Sequence, residues 1–195
     1  MTAALKPKLV ILISGRGSNM QSIVKAIQAN ELDAEVAAVI SNCPNAAGLK
    51  FAQQSDIATR TLDHKNFASR EAFDEQLMKL INSFTPDYVV LAGFMRILSA
   101  GFVKHYANKL INIHPSLLPK FKGMHTHKRA IEAGEKEHGA TVHFVTEELD
   151  AGPIILQAKV PILENDTEAT LAARVLIEEH KLYPDALRLL IQQQN

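Results

Sequence analysis

Short unbroken apolar runs alternate with stretches of helical periodicity over the first two thirds of the chain. The runs are Lys8–Ser14, Glu35–Ser41, Ala58–Leu62, Asp87–Phe94 and Lys109–His114, and between them lie Met20–Asn30, Ala46–Gln54, Arg70–Phe84 and Ala100–Tyr106. The strand runs are continuous rather than alternating in polarity, as expected of strands covered on both faces. The βαβα rhythm predicts a mostly parallel sheet with helices on both sides. Asn30, Asn45-Ala46-Ala47-Gly48 and Thr85-Pro86-Asp87 punctuate the elements.

The rhythm changes after residue 135. Gly139–Thr146 and Ile154–Ile162 are strand-like runs with no helix between them, which predicts a hairpin-like, antiparallel extension of the sheet. Thr167–Gln193 then reads as one long helix, with Leu171, Val175, Leu182, Ala186 and Leu190 on one stripe. Asp166-Thr167-Glu168 supplies a cap and an acidic first turn, and Pro184 is expected to bend or restart the helix. With no internal repeat, low-complexity tract or long linker, the expectation is a single α/β domain over residues 1–195.

The balance of 21 basic and 21 acidic residues provides no global drive toward nucleic acid or anionic lipid. The single cysteine, Cys43, excludes an intrachain disulfide framework and fits a reducing compartment. No run approaches the roughly 20 apolar residues needed to span a bilayer. Leu9–Ile13 is too short for the core of a signal peptide. The chain is therefore expected to be cytoplasmic, with small-molecule substrates and neither nucleic acid nor membrane as partner.

The segment Asn112-Ile113-His114-Pro115-Ser116-Leu117-Leu118-Pro119 carries the most chemistry. Residues two apart in a strand share a face, so Asn112 and His114 project together at a strand end. The amide can donate to a developing oxyanion and the imidazole can handle a proton, which suits acyl transfer. Taken alone, the pair also reads as a polar strand cap. Ser14-Gly15-Arg16-Gly17-Ser18-Asn19 joins the first strand to the first helix. Its glycines and free helix-start N–H groups suit a phosphate monoester. It lacks the Lys-Ser/Thr of a Walker loop, and Met20 occupies the place of the third glycine of a dinucleotide fingerprint. Leu91-Ala92-Gly93-Phe94-Met95-Arg96-Ile97-Leu98 follows the fourth strand and could line a pocket for a flat heterocycle, or simply pack in the core. Asp150, in the turn Glu147-Glu148-Leu149-Asp150-Ala151-Gly152-Pro153, could orient a histidine or cap backbone. His125-Thr126-His127 lacks the ligand set of a zinc site, so no metal is expected. The other histidines, and Glu178-Glu179-His180 on the last helix, carry no signal of their own.

These blocks, with His138-Gly139 and Asp150-Ala151-Gly152-Pro153-Ile154, occur in an order that resembles the phosphoribosylglycinamide formyltransferases, folate-dependent enzymes of purine synthesis. The resemblance runs from about Leu9 to Leu187. It implies a Rossmann-like formyltransferase fold and formyl transfer from 10-formyltetrahydrofolate, as co-substrate and without a metal, to the amine of glycinamide ribonucleotide. It implies a phosphate-binding half over about residues 8–106 and a catalytic and folate-binding half over about 107–195. Asn112, His114 and Asp150 match the catalytic trio. Gly17, Ser18, Asn19 and Glu179 match ribotide contacts. Arg70, Met95, Arg96, Ile97, Leu98, Asn112, Thr146, Glu147, Glu148, Leu149 and Asp150 match folate contacts. It further implies a cis Leu118–Pro119 bond and a monomer or homodimer. Formyltetrahydrofolate deformylases and methionyl-tRNA formyltransferases share the Asn-x-His block. Their extra N-terminal and C-terminal domains, respectively, set them apart from this sequence. A non-catalytic nucleotide-binding module is the alternative outside enzymes, and it leaves the Asn112/His114 pairing unexplained.

Overall fold

The computed structural model describes residues 6–193. Its strands are β1 (Lys8–Ile13), β2 (Glu35–Ser41), β3 (Thr59–Thr61), β4 (Tyr88–Leu91), β5 (Leu110–His114), β6 (Glu137–Phe144) and β7 (Ile154–Pro161). They form one sheet in the order β3-β2-β1-β4-β5-β6-β7. The first five strands pair in parallel, and β6 and β7 extend the sheet antiparallel. The expected α/β architecture and its antiparallel extension are both present. The helices are α1 (Ser18–Gln28), α2 (Ala47–Gln54), α3 (Arg70–Asn82), α4 (Ala100–His105), α5 (Thr126–Glu132) and α6 (Glu168–Gln192).

The continuous apolar runs are explained by two cores, one on each sheet face. Along β1, Leu9, Ile11 and Ile13 pack with Met20 and Ile23 of α1 and with Tyr183 and Leu187 of α6. Val10 and Leu12 turn the other way, onto Phe73 and Leu77 of α3 and Phe102 of α4. Each such side chain is fully buried, a burial that stabilises by about 1.5–3 kcal/mol per large aliphatic residue.

Three details differ from the sequence reading. Helix α5 was not expected: its seven residues are too few to display a period, and only Thr126 and Ala130 are buried. Strand β6 begins at Glu137, two residues before Gly139. Helix α6 continues through Pro184, so of the two expected outcomes, a bend or a restart, the restart does not occur. An interior proline costs ~3 kcal/mol, and here it is offset by a continuous buried stripe, Leu182, Tyr183, Ala186 and Leu187, on either side of it. The predicted cap and acidic first turn are both present, at Thr167 and Glu168. The Thr167 hydroxyl accepts from Thr170 N, and the Thr170 hydroxyl accepts from Thr167 N.

The strand order positions the site. From β1 the chain moves outward through β2 and β3, then returns to place β4 on the other side of β1. The crevice at the carboxyl ends of β1 and β4 is thus a topological switch point, where open α/β sheets take their ligands.

Candidate active site

The loop after β1 opens α1 through Gly17, whose φ of 64° is left-handed. Any other residue would be strained there. Gly48 matters for a different reason: a Cβ on it would lie 2.6 Å from Ile13 Cδ1 and 2.9 Å from Arg16 O. Its bare backbone lets α2 press on the loop, with Gly48 N donating to Gly15 O at 3.0 Å. Residues 14–19, with 92, 93 and 95, line a hollow of about 260 Å³. The first N–H groups of α1 lack partners within the helix and suit an anion.

Asn19 lies at the floor of this region and is 8% exposed. Its Nδ2 donates to Glu179 Oε2 at 2.8 Å, a bond across 160 residues, while its Oδ1 is buried without a partner. Burial raises the Glu179 carboxyl above its ordinary range, and the bond from Asn19 works against that. Asn19 and Glu179, each expected on its own to contact a ribotide, are therefore in direct contact with one another.

At the end of β5, Ile111 and Ile113 enter the core shared with α6, and Asn112 and His114 take the opposite side of the strand. Below them the buried Tyr183 hydroxyl lies 2.9 Å from Leu91 O and 3.1 Å from Ile111 O. It ties the ends of β4 and β5 together. Pro115 starts the loop that leaves the strand. Thr141, opposite His114 in the sheet register, holds that loop: its hydroxyl donates to Ser116 O and accepts from Leu118 N. The Leu118–Pro119 bond is cis, as expected.

His114 is buried, and Asp150 comes back to it from the β6–β7 connection. His114 Nε2 donates to Phe121 O at 2.9 Å, and His114 Nδ1 lies 3.5 Å from Asp150 Oδ2. Each ring nitrogen therefore faces an oxygen acceptor. Asp150 is held by Gly123 N at 2.9 Å and has a left-handed φ of 48°. Sequence spacing could not join Asp150 to His114; the fold does.

His143 is the residue that sequence reasoning missed. It pairs with Asn112 across β5 and β6, with Asn112 Nδ2 3.4 Å from His143 Nε2. His143 Nδ1 donates to Phe144 O at 2.9 Å, which leaves Nε2 as the acceptor in the neutral ring. Burial lowers the His143 pKa and keeps that neutral form. His143 Nε2 also lies 3.9 Å from Asp150 Oδ1, so it completes the cluster from behind. The only sequence signal was a histidine in a strand at the position facing Asn112, visible once register is known.

The remaining expected residues divide into those that join the site and those that surround it. Met95 and Ile97 are 79% and 68% exposed, and Leu149 is 57% exposed, so the two loops present apolar side chains outward rather than to the core, and Met95 lines the hollow itself. Arg96 lies over the Phe73 ring at 5.5 Å. Leu98 packs in part against the α3–α4 core. Thr146 bonds within its own turn, and Glu147 and Glu148 pair outward with Lys104 and Lys122. Arg70 opens α3 on the surface and pairs with Glu71, outside the Asn112–His114–Asp150 cluster. His125 is exposed, and His127 turns inward to His138, with His127 Nδ1 3.1 Å from His138 Nε2. Among the described residues, no group of three or more His, Cys, Asp or Glu side chains is arranged to hold a metal. A larger hollow, about 730 Å³, lies behind residues 117–121. Two of the three lysines that line it, Lys120 and Lys159, are paired with Glu135 and Glu137.

A family model described as formyl transferase matches residues 7–187. The chain is 56% identical over 176 residues to the phosphoribosylglycinamide formyltransferase of Escherichia coli, a match covering 90% of this chain and 83% of that protein. It is 47% identical over 193 residues to the trifunctional purine biosynthetic protein adenosine-3 of Drosophila melanogaster, covering 98% of this chain and 14% of that longer protein. Among solved structures, the phosphoribosylglycinamide formyltransferase of Coxiella burnetii superposes with a TM-score of 0.90 at 52% identity, covering 94% of this chain and 86% of that one.

Proposed function

The chain belongs to the formyl transferase family, and on that premise we propose that it transfers the formyl group of 10-formyltetrahydrofolate to the amine of glycinamide ribonucleotide in purine synthesis. The observation that carries this reading is the meeting of Asn112, His114 and Asp150 at the mouth of β5, beside a helix-start anion pocket and an apolar-rimmed crevice. The similarity to formyltransferases over nearly the whole described chain supports it.

In this reading the Gly17, Ser18 and Asn19 loop receives the ribotide phosphate, and Glu179 accepts from the sugar hydroxyls with the oxygen that Asn19 leaves free. Met95 to Leu98 and Thr146 to Asp150 flank the folate, with Met95, Ile97 and Leu149 supplying apolar contact to its rings. Arg70, on the rim, meets the acidic tail. The N-terminal half thereby serves the phosphate, and the C-terminal half the formyl group. The residues fit a formyl donor because the crevice joins an apolar rim to a buried amide and imidazole.

The substrate amine, unprotonated, is a competent nucleophile near neutral pH, so binding both substrates side by side supplies much of the rate. As the amine attacks the formyl carbon, Asn112 Nδ2 donates to the formyl oxygen as it gains charge. His114, held by Asp150 and Phe121 O, shares that charge. It then exchanges its Nε2–H bond to Phe121 O for delivery of that proton to the folate nitrogen, as the bond from that nitrogen to the formyl carbon breaks, and the proton lost by the attacking nitrogen returns through water to the imidazole. All the residues invoked belong to one chain, so the reading holds for a monomer or a homodimer.

The test is consumption of 10-formyltetrahydrofolate by the purified chain with and without glycinamide ribonucleotide. Formyl transfer that requires the ribotide is expected. Equal consumption in its absence would indicate hydrolysis and overturn the reading, and binding of both compounds with no turnover would indicate a non-catalytic module.

A further inference from the structure

Ser14, the last residue before the glycines of the phosphate loop, is bonded in two ways to the loop after β4. Its backbone N donates to Gly93 O at 3.1 Å, and its hydroxyl accepts from Met95 N at 2.8 Å. The hydroxyl proton is spent in a third direction: Ser14 Oγ donates to Asn42 Oδ1 at 2.6 Å. Asn42 directly follows β2 and is 3% exposed. It meets His64, whose Nδ1 lies 3.2 Å from Asn42 Nδ2 and 3.1 Å from Asn42 O. One ring nitrogen cannot accept from the first and donate to the second together, so the His64 tautomer selects one bond.

The chain of contacts then closes on itself. His64 meets the edge of Phe73 with ring centroids 6.4 Å apart, and Phe73 lies under the Arg96 guanidinium at 5.5 Å. Arg96 follows Met95 in sequence. The loop after β4 is thus gripped at two adjacent residues, by polar contacts through Ser14 and by a ring contact through Phe73. One residue beyond Phe73, the buried Asp74 accepts from Ser99 N at 2.6 Å and fixes the far end of the loop.

We propose that Ser14 is a positioning residue that couples the two substrate subsites, so that folate seated on residues 94–98 orders the phosphate loop for the ribotide and the reverse. The proposal rests on the functional reading above, which assigns those two loops to those two substrates. A ligand that immobilises one loop removes part of the ordering cost that a second ligand would otherwise meet, which produces positive coupling without a large movement. Coupling of this origin is reciprocal, because it is a free energy shared by the two sites. Ser14 suits the task because its hydroxyl is the only side-chain group that bonds to the folate loop and to the buried residue after β2 at once, among the described residues.

The experiment uses the full chain and a pair that cannot react, glycinamide ribonucleotide with deformylated tetrahydrofolate. Calorimetric dissociation constants for the ribotide are measured with and without saturating tetrahydrofolate, and their ratio is the coupling factor. The unsubstituted chain is expected to bind the ribotide ~5-fold more tightly in the ternary complex, the low end of ordinary coupling. Ser14→Ala should bring the factor near one while each ligand alone still binds, and Ser14→Thr, which keeps the hydroxyl, should restore it. A purely structural Ser14 would weaken both ligands and leave the ratio alone. An unchanged ratio in Ser14→Ala, or a ratio of one in the unsubstituted chain, overturns the coupling. Failure of the unsubstituted chain to bind either ligand overturns the functional reading itself, and the coupling with it. Should Ser14→Ala fail to fold, Asn42→Asp keeps an acceptor for the Ser14 hydroxyl but loses the amide bond to His64. It is expected to retain the ratio, and its loss would move the coupling off Ser14.

Discussion

Asn112 and His143 face each other across the β5–β6 pair, and the neutral His143 ring offers Nε2 to the Asn112 amide at 3.4 Å. That contact fixes which way the amide points, so the donor that the proposed mechanism aims at the formyl oxygen is set from the neighbouring strand. His143→Leu should lower kcat by about fivefold, the worth of one net hydrogen bond of roughly 1 kcal/mol, with both Michaelis constants little changed. Asn112→Ala removes the donor itself and should lower kcat by on the order of 100- to 1,000-fold. The two losses should not add, because His143 acts through Asn112. Steady-state kinetics of the two single variants and the double variant check this, and additive losses would separate His143 from the amide.

Replacement of Gly17 should act on one substrate. A side chain at φ 64° is strained, and its Cβ would lie 3.0 Å from Met20 Cε. Gly17→Val should raise the Michaelis constant for the ribotide on the order of tenfold, from the ~1–2 kcal/mol cost of the left-handed conformation. The constant for the folate should stay as it was. Parallel changes in both constants would contradict a phosphate role for this loop.

Glu179 should cost the unliganded chain stability at neutral pH. Burial raises its carboxyl above the ordinary 4.5, so the folded state holds this proton more tightly than the unfolded chain does. The resulting stability is present below 4.5 and is lost as pH rises through the raised folded value. Glu179→Gln keeps an acceptor for Asn19 and removes the charge. It should therefore melt higher than the parent at pH 7 and match it in acid, while binding the ribotide more weakly. Melting curves across pH read the first effect and titration with the ribotide reads the second.

The buried histidines act in the opposite sense. Burial is the main cause that lowers His138 from 6.5 to about 4, and it lowers His127 and His143 as well. For His138 the folded state binds fewer protons than the unfolded chain between these two values. Its stabilising contribution is thus full above 6.5 and falls away as pH drops toward about 4. Urea unfolding followed from pH 7 to pH 4 should show this decline. In His138→Gln the slope within that window should flatten by up to about one proton.

The sequence by itself determined the layered α/β plan, because unbroken apolar runs are stable only as strands covered on both faces, and helical stripes are stable only against such a sheet. It also singled out the glycine loop that opens α1 and the shared strand face of Asn112 and His114, since both are local: glycine tolerance at a helix start, and a period of two along one strand. Short α5 escaped it, because seven residues hold too little pattern, and the passage of α6 through Pro184 escaped it, because the compensating burial belongs to the sheet beneath. What only the tertiary structure decided is which distant groups meet. Asp150 reaches His114 because β6 and β7 run antiparallel beside β5, Asn19 reaches Glu179 because α6 packs on α1, and Ser14 reaches Met95 because β4 returns to lie next to β1. Those meetings depend on strand order and register, which are set by the packing of the whole sheet, and no local periodicity encodes them.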